Sequence, residues 1–195
     1  MTSKLSSPPT QAEVLTEQVV YRAVKDLELM LFGSEVPTEA IYAGYQNDLS
    51  LPAGSNEYVV NTIISHIDHG TPCVDYELNP DTQEMRAVVS KLEEVVVQVD
   101  CYSDFPEKAR LRCLSLAAIT RTTPIVDFTK QYGLSSLYAG QPRNTTVVVD
   151  AEKYVQRWTT EIHLSFTHRV ALDVDSFDAV KVVIANVDVR FPPKQ

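Results

Sequence analysis

Apolar and polar residues alternate most cleanly over residues 92–102. Val95, Val97, Val99 and Cys101 take one set of positions; Glu94, Val96, Gln98, Asp100 and Tyr102 take the other. That period of two is the pattern of a strand with one buried face. Pro106 then opens a helical run to Arg121. In it Ala109, Cys113, Leu116 and Ala117 form one stripe, which Leu111, Leu114 and Ala118 widen. Asp104 is placed to cap this helix, with Pro106 in its first turn and Glu107 favourable to its dipole.

A second helical pattern covers residues 11–32. Val20, Ala23, Val24, Leu27 and Leu31 fall at i, i+3, i+4, i+7 and i+11, opposite Glu17, Arg22, Lys25 and Asp26, and Gly33 follows as a C-cap. Residues 1–10, polar with a Pro-Pro pair, read as a flexible arm. Residues 41–46 predict a short strand and 47–56 a loop. Tyr58 to Asp68, rich in Val, Ile and Thr, predicts a second strand that Gly70, Thr71 and Pro72 break. Residues 73–78 and 84–89 flank the polar turn Asn79-Pro80-Asp81-Thr82-Gln83 and predict an acidic hairpin arm.

Pro124 ends the second helix or starts a further piece through Tyr132, and Gly133 turns the chain. Residues 137–140 predict a brief strand and 141–144 a loop. From Tyr154 to Val170, Trp158, Thr160, Ile162, Leu164 and Phe166 share one face, and Arg157, Thr159, Glu161, His163, Ser165 and Thr167 the other. Such a strand is roughly 50 Å long if fully extended. Residues 180–189 predict a final strand. The expected fold is α+β: a mainly antiparallel sheet with two principal helices packed on one face, plus a protruding β-hairpin. The expected division is an arm over 1–10, one domain over 11–191 and a tail over 192–195.

Composition narrows the function. A chain of 195 residues with 44% hydrophobic and 22% charged residues suits one soluble domain. A net charge of −9 argues against a general grip on DNA phosphates, which needs clustered Lys and Arg. The N-terminus lacks the apolar core of a signal peptide, and no run approaches the ~18 apolar residues of a membrane helix. A soluble, cytoplasm-made protein with no membrane partner is expected. Cys73, Cys101 and Cys113 have no metal-ligand spacing and read as reduced structural thiols.

No constellation offers catalysis. His66 and His69 lie three apart on a strand, so their imidazoles diverge, and His163 and His168 also fall on opposite faces. All four read as exposed or hydrogen-bonded. Glu93 and Glu94 divide between faces, which is poor geometry for an acid/base pair. Asp173 and Asp175 share a face if extended but read as a turn. Arg110, Arg112 and Arg121 read as a solvated or interface face. There is no Gly-rich phosphate loop, G-x-S-x-G elbow or C-x-x-C. The expectation is no enzyme, no cofactor and no metal.

The element order, with Val97-Gln98-Val99-Asp100-Cys101-Tyr102-Ser103-Asp104 before an Ala- and Leu-rich helix and Tyr-Val-Gln-Arg-Trp-Thr-Thr-Glu-Ile-His-Leu-Ser-Phe over 154–166, resembles the neck or tail terminator proteins of tailed bacteriophages. Relatives often carry Gly where this chain has Ser103. The resemblance implies a sheet with helices on one side, assembled as a homo-oligomeric ring, commonly six-fold. Such a ring caps the tail tube, joins the head-tail connector protein and leaves a channel that DNA crosses without specific binding. The implied partners are further copies of the chain, the connector and the tail tube or sheath protein. The implied location is the neck of the virion, after assembly in host cytoplasm. Asp75, Glu77, Asp81, Glu84, Glu93 and Glu94 are the candidate channel or inter-subunit residues. The alternatives are another head-tail adaptor, a tail tube subunit, a regulatory protein binding a host factor, or a ligand-binding module or enzyme whose pocket gathers His66, Asp68 or Asp173.

Overall fold

The structure, a computed structural model, describes residues 11–13, 15–44, 57–150 and 153–173. The expectations for the arm at 1–10, the loop at 47–56, Asp175, the strand at 180–189 and the tail at 192–195 lie outside the described residues.

Three long strands form the frame: β3 (Tyr58–Leu78), β4 (Met85–Ser103) and β8 (Lys153–Asp173). β4 lies between the other two and is antiparallel to both. Beyond β3 lies β2 (Ile41–Ala43), parallel to Val59–Asn61. The outer edge of β8 is patched along its length by β7 (Val147–Asp150), β6 (Arg143–Asn144), β5 (Ser135–Ala139) and β1 (Gln11–Glu13), all antiparallel to it. Short strands of this kind cover backbone donors that a bare edge would offer to any other chain. The α+β class with a mainly antiparallel sheet is what the structure has.

Helices α1 (Glu17–Phe32) and α2 (Pro106–Ile119) cover one side of the sheet, α1 over β3 and α2 over β4 and β8. Between them and the strands lie Val20, Ala23, Val24 and Leu27 from α1, Ala109, Cys113 and Leu116 from α2, and Val59, Val95, Val97, Val99, Cys101, Ile162 and Leu164 from the strands. Helix α3 (Thr123–Lys130) follows, and the chain turns at Gly133, whose φ of 71° a side chain would resist.

Several expectations need correction. The first helix begins at Glu17 rather than residue 11, and Gln11–Glu13 instead pairs with β8. The apolar spacing starts only at Val20, so residues 11–13 gain more from ladder hydrogen bonds than from an unpacked helical turn. Gly70-Thr71-Pro72 does not break the second strand. A register shift between His69 and Cys73, with Gly70 at φ 76°, absorbs the interruption, and β3 runs on to Leu78. Asp104 is not the N-cap of α2: Phe105 takes that position, and its N–H donates to Ser103 Oγ at 3.0 Å. The helix ends at Ile119, and residues 143–144 form β6 rather than loop. Leu111, Leu114 and Ala118 do not widen the buried stripe; they face outward. Arg112 is not a surface residue but is almost wholly enclosed.

Candidate functional site

The far ends of β3 and β4 form the hairpin arm, and the last residues of β8, Arg169–Asp173, pair alongside it. Pairing runs on from Cys73↔Ser90 through Val74↔Val89 and Tyr76↔Ala87 to Leu78↔Met85. The turn is set by Asn79, whose Oδ1 accepts the N–H of Asp81 at 3.0 Å, and by Gln83 at φ 59°. Cross-strand partners share a face. Val74, Tyr76 and Leu78 therefore lie on the sheet side that carries the helices, in line with Val95 and Val97. Asp75 and Glu77 lie on the other side, where Glu77 binds Arg86 and, at 3.7 Å, Arg169.

Two His–Glu–His clamps mark the root of the arm, one on each side of the sheet. On the helix side Glu93 accepts from His66 Nδ1 at 2.5 Å and His168 Nε2 at 2.7 Å. On the other side Glu94 accepts from His163 Nδ1 at 2.5 Å and His69 Nε2 at 2.7 Å. Each carboxylate on the middle strand thereby ties both flanking strands. The hydrogen bond from His163, with that from His69 adding to it against the cost of burial, holds the Glu94 carboxyl below its ordinary range. Lys91 binds Asp68 at 2.7 Å beside the helix-side clamp. The divergence of His66 from His69 is as the strand period requires. Among the described residues no group of three or more His, Cys, Asp or Glu is placed to hold a metal ion.

Two buried polar clusters fix the end of the sheet away from the arm. Asp100 accepts from Thr159 Oγ1 at 2.5 Å, Arg157 at 2.7 Å and Gln98 at 2.8 Å. Beside it the rings of Tyr58 and Tyr102 stack with centroids 4.3 Å apart, and burial pushes the Tyr58 phenol up to about 12. On the helix side Arg112 reaches Glu57 at 2.6 Å, Glu35 at 3.2 Å and the carbonyl of Tyr102 at 3.2 Å. Ser103 donates to Glu57 at 2.6 Å and joins the same cluster. Sequence reasoning missed Arg112 and also Glu28, which is buried on α1. The available signal was position: Glu28 continues the Val20–Val24 spacing, and Arg112 lies between Ala109 and Leu116 on the inner stripe.

The six candidate acids do not form one surface. Glu77, Glu93 and Glu94 are held by Arg or His partners. Asp75 is exposed on the helix-free side, and Asp81 and Glu84 are exposed at the tip. His66 and Asp68 lie on the helix side near Lys91, and the backbone of Asp173 pairs with Arg86 at the end of β8. Cys101 and Cys113 are buried, Cys73 is exposed, and all three are free thiols.

A sequence profile of the phage neck terminator protein family matches residues 14–189, and the chain belongs to that family. No curated protein matches it in sequence. Neck terminators are structural components of the phage neck and tail, not enzymes. No described helix is long and apolar enough to cross a membrane.

Proposed function

We propose that copies of this chain close into a ring, six-fold as the family resemblance implies, which caps the tail tube, contacts the head-tail connector and leaves a channel for DNA. The observation that carries this reading is the family match over residues 14–189. The form of the subunit supports it. Among the described residues, the strapped edge of β8 leaves the arm, the outer edge of β3 and the outer helix faces open to neighbours. The two clamps stiffen the arm where it leaves the helices.

The channel wall is the helix-free side of the sheet. Of the six acids, Asp75 is the exposed one there, and it repels phosphates rather than holding them. Asp81 and Glu84 at the tip belong to inter-subunit contact. The clamp residues act in the strands and in no reaction.

Tail tube protein polymerising in the presence of the purified chain tests the reading. Tubes should stop growing and carry a ring at one end in electron micrographs. Growth unchanged by excess chain contradicts a capping role.

A further inference from the structure

Val74, Tyr76 and Leu78 stand in a row on the helix side of the hairpin arm, and Tyr76 is 67% exposed. At the base of the sheet this same side is covered by α1 and α2; along the arm no described helix lies over it. Helix α2 has the opposite surplus. Its inner stripe is buried, yet Leu111 and Leu114 face outward with Phe105 just before them, and Leu111 is 55% exposed. Large apolar side chains grouped on an otherwise polar surface and rimmed by charged residues mark a contact site. Among the described residues, one molecule thus carries a sheet face without a helix and a helix face without a sheet.

We infer that the hairpin arm of one subunit lies across the outer face of α2 in the next, so that Val74, Tyr76 and Leu78 pack on Phe105, Leu111 and Leu114 of a second copy of this chain. This rests on the ring reading and gives it its contact. Three features of the surfaces select a second copy as the occupant.

The first is layer geometry: the contact continues into the neighbour the helix-on-sheet packing that each subunit already has at its base. The second is charge. Asp81 and Glu84 at the tip are acidic, while Lys108 and Arg110 flank the outer face of α2. The third is a seat. A groove of about 110 Å³ between α1 and α2, with Leu31, Phe32 and Leu111 on its apolar side and Glu35, Lys108, Arg112 and Ser115 on its polar side, opens beside the outer stripe. Tyr76 suits this mixed lining: its ring packs on the apolar side and its hydroxyl donates to Glu35, which also accepts from Arg112. The two surfaces are different patches of the same chain, so the contact is head-to-tail, and it gives a ring where the rotation between subunits closes and a filament where it does not.

Complementary variants test it. One carries Tyr76→Asp with Leu78→Asp, the other Leu111→Asp with Leu114→Asp. Under conditions where the natural chain forms rings, each variant alone should be monomeric, its assembly weakened at least about tenfold. Mixed, they should form dimers of one of each and nothing larger, because only one intact arm and one intact helix face remain per pair. Leu78→Ser and Leu111→Ser replace the double variants if unfolding curves show either to be misfolded. Rings from either variant alone overturn this contact and leave the ring reading standing. A mixture that stays monomeric, or one that restores full rings, also overturns the contact. A natural chain that remains monomeric even with tail tubes overturns both readings together.

Discussion

Asn61 donates its Nδ2 hydrogen to Glu28 Oε2 at 2.8 Å where neither residue meets water. Among the described residues, Glu28 Oε1 and Asn61 Oδ1 have no hydrogen-bond partner. A proton on the carboxyl supplies the missing donor. Burial, opposed by the Asn61 hydrogen bond and by Lys25, pushes the Glu28 carboxyl up from 4.5 to about 8.

Stability should therefore depend on pH with a fixed sign. Below about pH 4.5 folded and unfolded chains both hold this proton, and the contribution is complete. Between 4.5 and about 8 only the folded chain holds it, so stability falls as pH rises, by on the order of 1 kcal/mol per unit. Above 8 the loss levels off. Glu28→Gln, uncharged at every pH, should remove this part of the slope. Denaturant unfolding at several pH values checks it, and an identical slope in the variant would refute the assignment.

Leu116 and Leu111 lie on opposite faces of one helix. Leu116 is fully enclosed, so Leu116→Ala should cost roughly 2–5 kcal/mol in unfolding of the isolated subunit. Leu111→Ala should cost under about 0.5 kcal/mol in the same measurement. Equal losses would mean that the outer stripe packs within the subunit.

The Arg112 cluster separates its two acids by magnitude. The Arg112 side chain is 3% exposed, Glu57 22% and Glu35 50%. Glu57→Ala removes the nearer carboxylate and also a partner of Ser103, leaving a buried guanidinium poorly matched. A loss of about 3–5 kcal/mol is expected. Glu35→Ala removes a half-hydrated partner and should cost about 1 kcal/mol or less. Thermal or denaturant unfolding of the two variants orders them, and the reverse order would contradict the geometry.

Asp75→Lys addresses the channel. Complete particles that eject DNA slowly are expected, since a cation on the wall holds phosphates within the roughly 8 Å over which charge is felt at physiological salt. Ejection at the natural rate would remove Asp75 from the channel wall. Failure to assemble would place it in a subunit contact instead.

The strands and helices were legible because each has one buried face whose period survives in the sequence: Val95 to Cys101, Ile162 to Phe166, Val20 to Leu27. The continuity of β3 was not, because Gly70 and Pro72 signal a turn locally while eleven residue pairs with β4 before the shift and six after it outweigh them. Glu28 and Arg112 were hidden by their charge, although their positions on the apolar stripes placed them inside. The clamps were half legible. Strand parity separated His66 from His69 and Glu93 from Glu94, but which imidazole meets which carboxylate depends on a register that distant segments set. The outer stripe of α2 was misread because Leu111 and Leu114 look the same in sequence whether they meet the subunit's own sheet or a neighbour.

The central claim is that this chain works as a closed ring at the phage neck. Mass photometry of the purified protein, alone and with tail tubes, followed by electron microscopy of the largest species, tests it most directly. The account predicts one discrete assembly of about six subunits with an open centre, formed alone or on the tube end. A chain that stays monomeric in both conditions, or that grows into filaments by itself, would contradict it.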